Sequence, residues 1–533
     1  MATHEVLNQP PPLALDPFAT DAVLRAALSR EGAAWARQEL EAFSREACGP
    51  QAQQWAAQAN ENPPRLRTHD RYGNRVDELE FHPSWHALMR VSVAHGVHGR
   101  PWREPREGAH VARAAMMMVD AQNELGHGCP ISMTYSAHPA LARTPALLAE
   151  WGPRITGTSY DPRSLPAHLK GGALIGMAMT EKQGGSDVRA NTTRAVRDDG
   201  GGYRLTGHKW FCSAPMSDAF LVLAQAGAGL SCFLLPRFTP DGARNRFFLQ
   251  RLKDKLGNRS NASGEVELDA AYALLVGEEG RGVQTILEMV NHTRLDCVIG
   301  SAAMMRRSLT EALHHVLYRK AFGRLLIDQP VMRNVLADLA LESEAATTLM
   351  MRLARGYDRK EAPFRRLATA VSKFWVCKRA PAFVAEALEC LGGNGYVEES
   401  GLPRIYREAP LNSIWEGSGN VMCLDVLRAV AKEPESLEAV LAEIRLAAAA
   451  DRRLDAFVDR LGQRLARPQE VEARRLVEDL ALALQGSLLV RFAAPAVADA
   501  FCASRLDGDR GQTFGTLPSG TDLGALLSSA SPG

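Results

Sequence analysis

Apolar residues recur at helical spacing over most of the chain, and one block in the middle follows a different pattern. The i, i+3, i+4 spacing predicts helices between Thr20 and Asn60 and again in 85–97 and 109–126. From about residue 171 to 277, short apolar runs alternate with glycine turns, which is typical of antiparallel β-strands. Helical periodicity then returns in 280–323, 331–357 and 367–393. The pattern therefore predicts helices, then an all-β block, then a second set of helices.

Three segments interrupt these patterns. Residues 1 to about 20 contain three consecutive prolines and are predicted to form an extended arm. The segment from Asn60 to Pro83 combines prolines with a Tyr-Gly-Asn turn signal, so it breaks the helical pattern. The last twenty or so residues are rich in Ser, Gly and Leu, and we expect them to be frayed or disordered.

Charge and cysteine content exclude several classes of protein. The chain has 533 residues with 62 basic and 61 acidic side chains, so composition gives no overall affinity for polyanions. Its nine cysteines include no C-x-x-C pair, which favours reduced thiols in a cytoplasm and predicts no metal site. We see no signal peptide and no apolar run of membrane-spanning length, so we expect a cytoplasmic protein without a membrane partner.

The stretch LNSIWEGSGNVMCLD, residues 411–425, carries the main candidate for chemistry. Glu416 follows a tryptophan and precedes a Gly-Ser-Gly-Asn run, after which helical spacing resumes. The glycines allow a tight turn close to a ligand, and the next helix would begin with N–H groups suited to a phosphate. A carboxylate base in that position suits proton abstraction from a substrate that lies on a phosphate-bearing cofactor. The alternative is an ordinary loop whose acid faces water.

Two segments of the β block offer groups to a flat heterocycle. In MTEKQGGSDV, Thr180 and Ser186 supply hydroxyls, and Gly184–Gly185 permit a close backbone approach. In GHKWFCS, Trp210 offers a large aromatic face and Ser213 a hydroxyl at strand spacing. Either segment alone is weak evidence, because a tryptophan in a strand is usually part of a core.

The segment YRKAFG adds Arg319, a cation able to reach a pyrophosphate, and Phe322, able to stack near an adenine. Together with WEGSGN, and in this order, these segments resemble the acyl-CoA dehydrogenase flavoprotein family over about residues 80 to 430. The resemblance implies a mainly α protein with a middle β-barrel domain, here with a C-terminal helical extension, and FAD as cofactor. We expect four parts: an N-terminal helical domain with its arm (1–172), the β-barrel (173–277), a helical bundle (278–432), and a C-terminal helical domain (433–533).

The resemblance also assigns roles to residues. Glu416 matches the family's catalytic base, which takes the α-proton of an acyl thioester while hydride leaves the β-carbon for the flavin. The Arg319–Gly323 segment matches one that meets the FAD of a neighbouring subunit. The full set of expected cofactor contacts is Met177, Thr180, Gly185, Ser186, Trp210, Phe211, Ser213, Arg319, Phe322, Gly392, Gly393, Ser418 and Asn420.

The segment after Lys432 carries a local positive charge. We predict that the first helix of this segment carries all eight arginines between residues 445 and 475, against five carboxylates. One interpretation is a solvated, salt-bridged helix face, and the other is a surface for a phosphate backbone. We name four candidate DNA contacts on this predicted first helix of the segment: Arg452, Arg453, Arg460 and Arg464.

The N-terminal VLNQPPPL, the segment MTEKQGGSDV and the C-terminal extension further resemble a subgroup of the family that takes part in the adaptive response to DNA alkylation. That resemblance implies a homotetramer with FAD, weak activity on isovaleryl-CoA, and binding of double-stranded DNA that protects it from alkylation. The alternative is an ordinary metabolic dehydrogenase of branched short-chain acyl-CoA without a DNA role. Because FAD fits both, its presence does not discriminate between them.

Overall fold

In the computed structural model the described residues are 3–531, so the first two residues of the arm and the last two of the chain lie outside them. The helices are α1 (Ala22–Arg30), α2 (Arg37–Cys48), α3 (Pro50–Glu61), α4 (Pro83–Ala94), α5 (Arg100–Arg103), α6 (Ala109–Ala121), α7 (Gly128–Leu141), α8 (Pro145–Ile155), α9 (Gly282–Tyr318), α10 (Pro330–Asp358), α11 (Ala362–Glu389), α12 (Gly393–Tyr396), α13 (Leu402–Glu408), α14 (Gly419–Lys432), α15 (Pro434–Arg445), α16 (Arg452–Leu465), α17 (Ala473–Phe492), α18 (Pro495–Phe501) and α19 (Leu523–Ala530). The strands are β1 (Arg65–His69), β2 (Arg75–Glu80), β3 (Ile175–Ala178), β4 (Arg194–Arg197), β5 (Tyr203–Ser213), β6 (Ala219–Ala226), β7 (Gly229–Pro236), β8 (Phe247–Leu252), β9 (Ser263–Val276), β10 (Lys320–Ala321) and β11 (Arg324–Leu325).

The chain divides into two compact units, each built from more than one segment. Residues 51–106 and 123–296 form the unit that contains the sheet, here called the barrel unit. Residues up to 50, 107–122 and from 297 onward form the other, here called the helical unit. The four-part division expected from the sequence stays a prediction.

The barrel unit is organised around a closed ring of strands. β6, β4, β5, β9 and β7 pair in that order, and β7 pairs back onto β6, while β3 and β8 add to the ring at β6 and β9. Phe220, Phe233 and Leu249 are buried within the ring, because alternate residues of a strand face one side. The all-β block is therefore confirmed, but its predicted antiparallel pairing holds only in part. β3 and β4 both run parallel to β6, a pairing that local strand patterns do not encode.

The break between Asn60 and Pro83 contains a hairpin that the sequence analysis did not predict. β1 and β2 pair antiparallel, and Asp70 caps the turn by accepting hydrogen bonds from the N–H groups of Tyr72 and Asn74. Polar residues alternate with Leu66 and Leu79, both of which pack against the barrel core. Because the segment has few apolar residues and many charged ones, its strand pattern could not be recognised from the sequence.

The helical unit is centred on the long antiparallel pair α10 and α11, joined by a short turn at 359–361. α11 packs against α14, α15 and α17, and α10 packs against α6, α17 and α19. The helices on either side of the loop that contains Glu416 are thus held by a shared core.

Two predictions for the C-terminal segment are wrong. The arginines between 445 and 475 do not share one helix, since they lie on α15, α16 and α17 and on the turns between them. The last described residues are not frayed either: α19 buries Leu526 and Leu527, and the Arg306 guanidinium donates a 3.0 Å hydrogen bond to the carbonyl of Ala530. α19, which carries the two leucines, packs on α10 and α1. Burial of these apolar side chains stabilises a helix in a segment whose Ser- and Gly-rich composition favours disorder.

Candidate active site

Glu416 lies on a tight loop between a 3₁₀ turn at Leu411–Ser413 and the start of α14. Its φ of 58° is in the left-handed region, and Gly417 follows with a φ of 102°. A glutamate in that region costs about 1–3 kcal/mol, and such strain persists only where surrounding structure imposes it. The side chain is half-buried. The loop therefore holds one carboxylate in an unfavourable but defined conformation, as a positioned base requires.

Lys373 of α11 holds this loop. Its ammonium donates a 2.8 Å hydrogen bond to the carbonyl of Trp415 and a second to the carbonyl of Gly417. The Trp415 indole N–H donates to Asn412 Oδ1 at 3.0 Å, and Asn412 Nδ2 donates to Ser301 Oγ at 3.2 Å. Sequence reasoning missed Lys373, although a lone lysine in the apolar run AVSKFWVC was an available signal.

The start of α14 presents the groups expected for a phosphate. Ser418 is the N-cap residue, yet its hydroxyl does not cap the helix, and Asn420 is exposed in the first turn. Gly419 is buried, and a Cβ there would lie 2.8 Å from Cε of Lys378, a contact that the exposed lysine side chain can relieve by moving. These residues fit the phosphate-binding turn predicted beside Glu416.

The Arg319–Gly323 segment forms the β10–β11 hairpin. Phe322 and Gly323 are its two turn residues, with φ of 52° and 77°. Two positive φ values give the turn that two-residue hairpins favour, but a phenylalanine there is strained. Phe322 is 98% exposed. An exposed aromatic ring held at a strained turn is suited to stacking on a ligand.

The N-terminal arm ties this hairpin down. Arg319 donates a 2.8 Å hydrogen bond to the carbonyl of Asn8. The Asn8 side chain exchanges two bonds with the backbone of Lys320, donating at 2.9 Å and accepting at 2.7 Å. In the same unit, Gly392 and Gly393 are exposed at the start of α12, and Gly392 has a φ of 60° that favours glycine.

In the barrel unit, the structure brings the predicted residues of two separate segments together. The N–H of Trp210 donates a 2.8 Å hydrogen bond to the carbonyl of Thr180. A Cβ at Gly185 would lie 2.5 Å from the Thr180 hydroxyl oxygen, so only glycine permits this turn. Ser186 is exposed beside it, and Met177 is buried in β3.

Trp210 is half-buried, and one face of its ring is covered. The Nζ of Lys253 lies 3.0 Å from the ring centroid, and Phe211 packs edge-on at 6.3 Å. Phe211 is 57% exposed with a φ of 58°, at the bulge where β5 shifts register against β9, and Ser213 ends β5. Lys182 Nζ and the Arg251 guanidinium also lie 6.0 Å and 5.9 Å from the centroid of this ring, so several cations adjoin the aromatic surface predicted for the flavin.

A buried carboxylate anchors the Thr180 turn, and sequence reasoning missed it. Glu181 accepts hydrogen bonds from Lys209 Nζ at 2.8 Å, Thr192 N at 2.7 Å and Thr193 N at 3.1 Å. Burial by itself would raise the pKa of Glu181, but these donors and the charge of Lys209 hold the pKa below its ordinary value. The ionised pair fixes the turn that presents Thr180 and Gly185.

His127, which has no metal-spaced partner in the sequence, is buried at the start of α7. Its Nδ1 lies 2.7 Å from Glu124 Oε2 and its Nε2 lies 3.0 Å from Ser92 Oγ. Burial opposes ionisation of Glu124, but the hydrogen bonds and charge of His127 lower the pKa of this carboxyl to about 2. Within residues 3–531, no group of three or more His, Cys, Asp or Glu side chains is arranged to hold a metal ion.

Three of the four candidate DNA contacts have partners within the helical unit. Arg453 pairs with Asp451 at 2.6 Å and Asp499 at 2.9 Å, Arg464 pairs with Asp479, and Arg460 donates to the carbonyl of Leu506 at 3.0 Å. Arg452 is exposed. The exposed arginines Arg467, Arg474 and Arg475 lie further along the same segment.

Two further findings concern membrane-spanning helices and the cysteines. No helix of the described part has the length and apolar character needed to cross a membrane. All nine cysteines fall among residues 3–531, and each is a buried thiol that forms no disulfide bond. Burial raises the pKa of the Cys212 and Cys232 thiols to about 12.

Comparison with known proteins places the chain in a family. Residues 8–162 match the family model of the adaptive response protein AidB N-terminal domain, residues 176–271 the acyl-CoA dehydrogenase middle domain, and residues 280–431 the acyl-CoA dehydrogenase C-terminal domain. The chain therefore belongs to the acyl-CoA dehydrogenase family of FAD-dependent oxidoreductases, in the branch that contains AidB. This confirms the class of enzyme, the cofactor and the fold predicted from the sequence.

Individual relatives agree with that assignment. The AidB protein of Escherichia coli (strain K12) is 49% identical over 95% of both chains. Caenorhabditis elegans ACDH-11, solved in complex with C11-CoA, matches with a TM-score of 0.86 at 28% identity, covering 95% of this chain and 94% of that one. A mitochondrial isovaleryl-CoA dehydrogenase of Oryza sativa subsp. japonica is 27% identical over 67% of this chain and 86% of its own length.

Proposed function

We propose that this protein oxidises an acyl-CoA thioester and that Glu416 is the base that takes the α-proton. The observation that carries the proposal is the strained Glu416 loop, held at both flanking carbonyls beside the start of α14. A base held in one orientation removes part of the entropic cost of proton transfer. Family relatives that act on isovaleryl-CoA make this thioester the first substrate to test, with weak activity expected.

In this proposal, one group of residues binds the cofactor and the thioester, and Glu416 accepts the proton. Glu416 accepts the α-proton on its carboxylate, and the backbone N–H groups at the start of α14 suit a phosphate of a bound cofactor or thioester. FAD, when bound, supplies the acceptor for the β-hydride. Trp210 and Phe211 offer aromatic surface to the flavin, and Thr180 offers a hydroxyl to its edge.

Glu416→Gln tests the role of the base. This substitution keeps the shape of the side chain but removes the proton acceptor, so the variant should bind FAD and stay yellow. Anaerobic addition of isovaleryl-CoA should bleach the flavin of the wild type and leave the variant oxidised. Bleaching of the flavin in Glu416→Gln at the wild-type rate would show that Glu416 is not the base.

The proposed assembly is a homotetramer. Large apolar side chains are exposed on the helical unit near the β10–β11 hairpin and α12, including Phe322 (98%), Tyr396 (82%) and Val331 (77%). Exposed aromatic and aliphatic groups of this size favour burial in a subunit interface. Sedimentation at micromolar concentration would test this, with a monomer at all concentrations as the contrary result.

We propose a second function, binding of double-stranded DNA to protect it from alkylation. Support comes from the similarity to AidB and from the exposed arginines of the C-terminal segment. Because Arg453, Arg460 and Arg464 already have partners, the contacts most available to a phosphate backbone are Arg452, Arg467, Arg474 and Arg475. The competing function is a metabolic dehydrogenase that does not bind DNA.

Charge reversal distinguishes these two functions. Arg467→Glu with Arg475→Glu should weaken DNA binding and reduce its salt dependence by about one unit of slope for each arginine that contacts a phosphate. The matched control is Arg65→Glu with Arg71→Glu, which makes the same change in net charge at exposed arginines of the barrel unit. Equal binding by both double variants would show that the DNA-binding surface does not include Arg467 and Arg475. If the wild type does not bind DNA, the metabolic function is the one that remains.

A further inference from the structure

Lys373 is a buried lysine whose acceptors are both backbone carbonyls. The side chain is 1% exposed, at the middle of α11. Its two hydrogen bonds go to the carbonyls of Trp415 and Gly417, the residues immediately before and after Glu416. A buried ammonium is costly, and pairing with a carboxylate is the usual compensation. Here the ammonium binds the carbonyls of the two residues that flank Glu416.

Those two carbonyls limit the conformations that Glu416 can take. The carbonyl of Trp415 belongs to the peptide that precedes Glu416, and φ of Glu416 turns about the bond next to that peptide. The carbonyl of Gly417 belongs to the peptide between Gly417 and Ser418, and Gly417 has a φ of 102° that other residues avoid. A single ammonium bound to both carbonyls restrains the two ends of this three-residue segment and keeps Glu416 at its strained φ of 58°.

A second set of bonds holds the other end of the loop and does not replace Lys373. Trp415 donates to Asn412, and Asn412 donates to Ser301 of α9. These bonds fix the indole and the turn before Glu416. The carbonyl of Gly417, one residue beyond Glu416, is held by Lys373.

We propose that Lys373 is a positioning residue for proton abstraction, which holds the carbonyls of the residues on both sides of Glu416 so that the carboxylate meets the α-proton of the thioester. This inference rests on the proposed role of Glu416. Lys373 acts on the loop and not on the substrate. Its loss should therefore slow the chemical step much more than it weakens binding of the thioester.

Stopped-flow reduction of the FAD-loaded protein by isovaleryl-CoA, without oxygen, measures both quantities. For Lys373→Met we expect FAD content like that of the wild type and a reduction rate at saturation lower by about a hundredfold. The half-saturating concentration should change by less than about threefold. Isovaleryl-CoA deuterated at the α-carbon should show a larger isotope effect in the variant, because proton transfer becomes more fully rate-limiting. Lys373→Arg, which keeps a cationic donor, should recover part of the rate.

Lys432→Met is the matched control, since Lys432 is exposed at the far end of α14. It should reduce at the wild-type rate. If Lys373→Met does not retain FAD, Lys373→Gln, which keeps a shorter polar group, takes its place with the same expected loss. A wild-type rate and isotope effect in the variant that retains FAD would overturn the inference. So would a loss confined to the half-saturating concentration.

Glu416→Gln, measured in the same series, separates this inference from the proposed function. If Glu416→Gln is reduced as fast as the wild type, the proposed function fails and the Lys373 inference fails with it. If Glu416→Gln is not reduced and Lys373→Met behaves like the wild type, only the Lys373 inference fails.

Discussion

Lys209 donates a 2.8 Å hydrogen bond to the carboxylate of Glu181, and both side chains are buried in the barrel unit. Glu181 directly follows Thr180, and Lys209 directly precedes Trp210, whose N–H donates to the Thr180 carbonyl. One ion pair therefore fixes two segments that were predicted separately as flavin contacts. The pair also receives the N–H groups of Thr192 and Thr193, so the turn is anchored from several sides.

Lys209→Met should destabilise the protein, because it leaves Glu181 buried without its cation. Removing one partner of a buried pair costs about 3–5 kcal/mol. Urea unfolding measures this loss of free energy. Lys182→Met is the control, since Lys182 is exposed and its bridge to Glu267 lies at the surface, where such pairs contribute about 0–1 kcal/mol. Equal effects of the two substitutions would contradict the anchoring role of Lys209.

The sequence was sufficient for features that are encoded locally. Helical periodicity predicted the long helices around α10 and α11, and glycine-punctuated runs predicted the barrel. The Glu416 loop was recognisable because glycines adjacent to an acid signal a tight turn.

Features that depend on distant contacts could not be predicted in this way. Lys373 is 43 positions before Glu416, and nothing in the local pattern joins them. Parallel pairing of β3 with β6 depends on how the ring closes, and the burial of α19 depends on the surface of α10. For Arg453 and Arg464, local charge suggested a nucleic-acid surface, while their partners Asp499 and Asp479 lie 46 and 15 residues further along the chain.

Truncation after Lys432 is consequently a poor test of DNA binding. α15 and α17 pack against α11, and the buried Arg352 pairs with Glu443 at 2.7 Å. Removing the segment would expose this core and take away one of the two carboxylates that pair with Arg352, leaving Glu361 at 2.9 Å. Point substitutions at exposed arginines avoid that loss.

Asn8→Ala should release the N-terminal arm from the β10–β11 hairpin. The substitution removes both side-chain bonds to Lys320, each with a net contribution of about 1 kcal/mol, and alanine disfavours the φ of 58° at this position. Hydrogen exchange should accelerate at the amide of Lys320, whose acceptor is Asn8 Oδ1. Gln9→Ala is the control for a change in the neighbouring arm residue. Unchanged exchange at Lys320 in Asn8→Ala would show that the arm does not hold the hairpin.

Phe322→Asn should separate ligand binding from stability. Asparagine tolerates the left-handed φ better than phenylalanine, so the thermal midpoint should stay the same or rise. If Phe322 stacks on the adenine of FAD, its loss should weaken FAD binding by about 3- to 10-fold, the value of one aromatic contact. Flavin fluorescence during dilution measures the release of FAD. Tyr72→Asn, at the exposed turn of the β1–β2 hairpin, is the matched control and should leave FAD affinity unchanged.

Glu342 should contribute to acid stability of the helical unit. Its carboxylate, buried on α10, accepts hydrogen bonds from Arg379 at 2.9 Å and from Arg505 at 3.0 Å. Burial would raise the pKa of Glu342, but the two guanidinium groups outweigh it and lower the pKa from 4.5 to about 2. Because the pKa is lower in the folded state, the ionised carboxylate stabilises the fold above pH 4.5, and this contribution is lost as pH falls toward 2.

A shift of this size corresponds to about 3 kcal/mol at neutral pH. Glu342→Gln should therefore lower the free energy of unfolding at pH 7 and flatten its decline between about pH 4.5 and pH 2. Urea unfolding at a series of pH values gives both quantities. Glu399→Gln, at an exposed position, should follow the wild-type curve. Parallel curves for the wild type and Glu342→Gln would mean that Arg505 and Arg379 do not depend on this carboxylate. Asp338, which also pairs with Arg505, would then compensate for its loss.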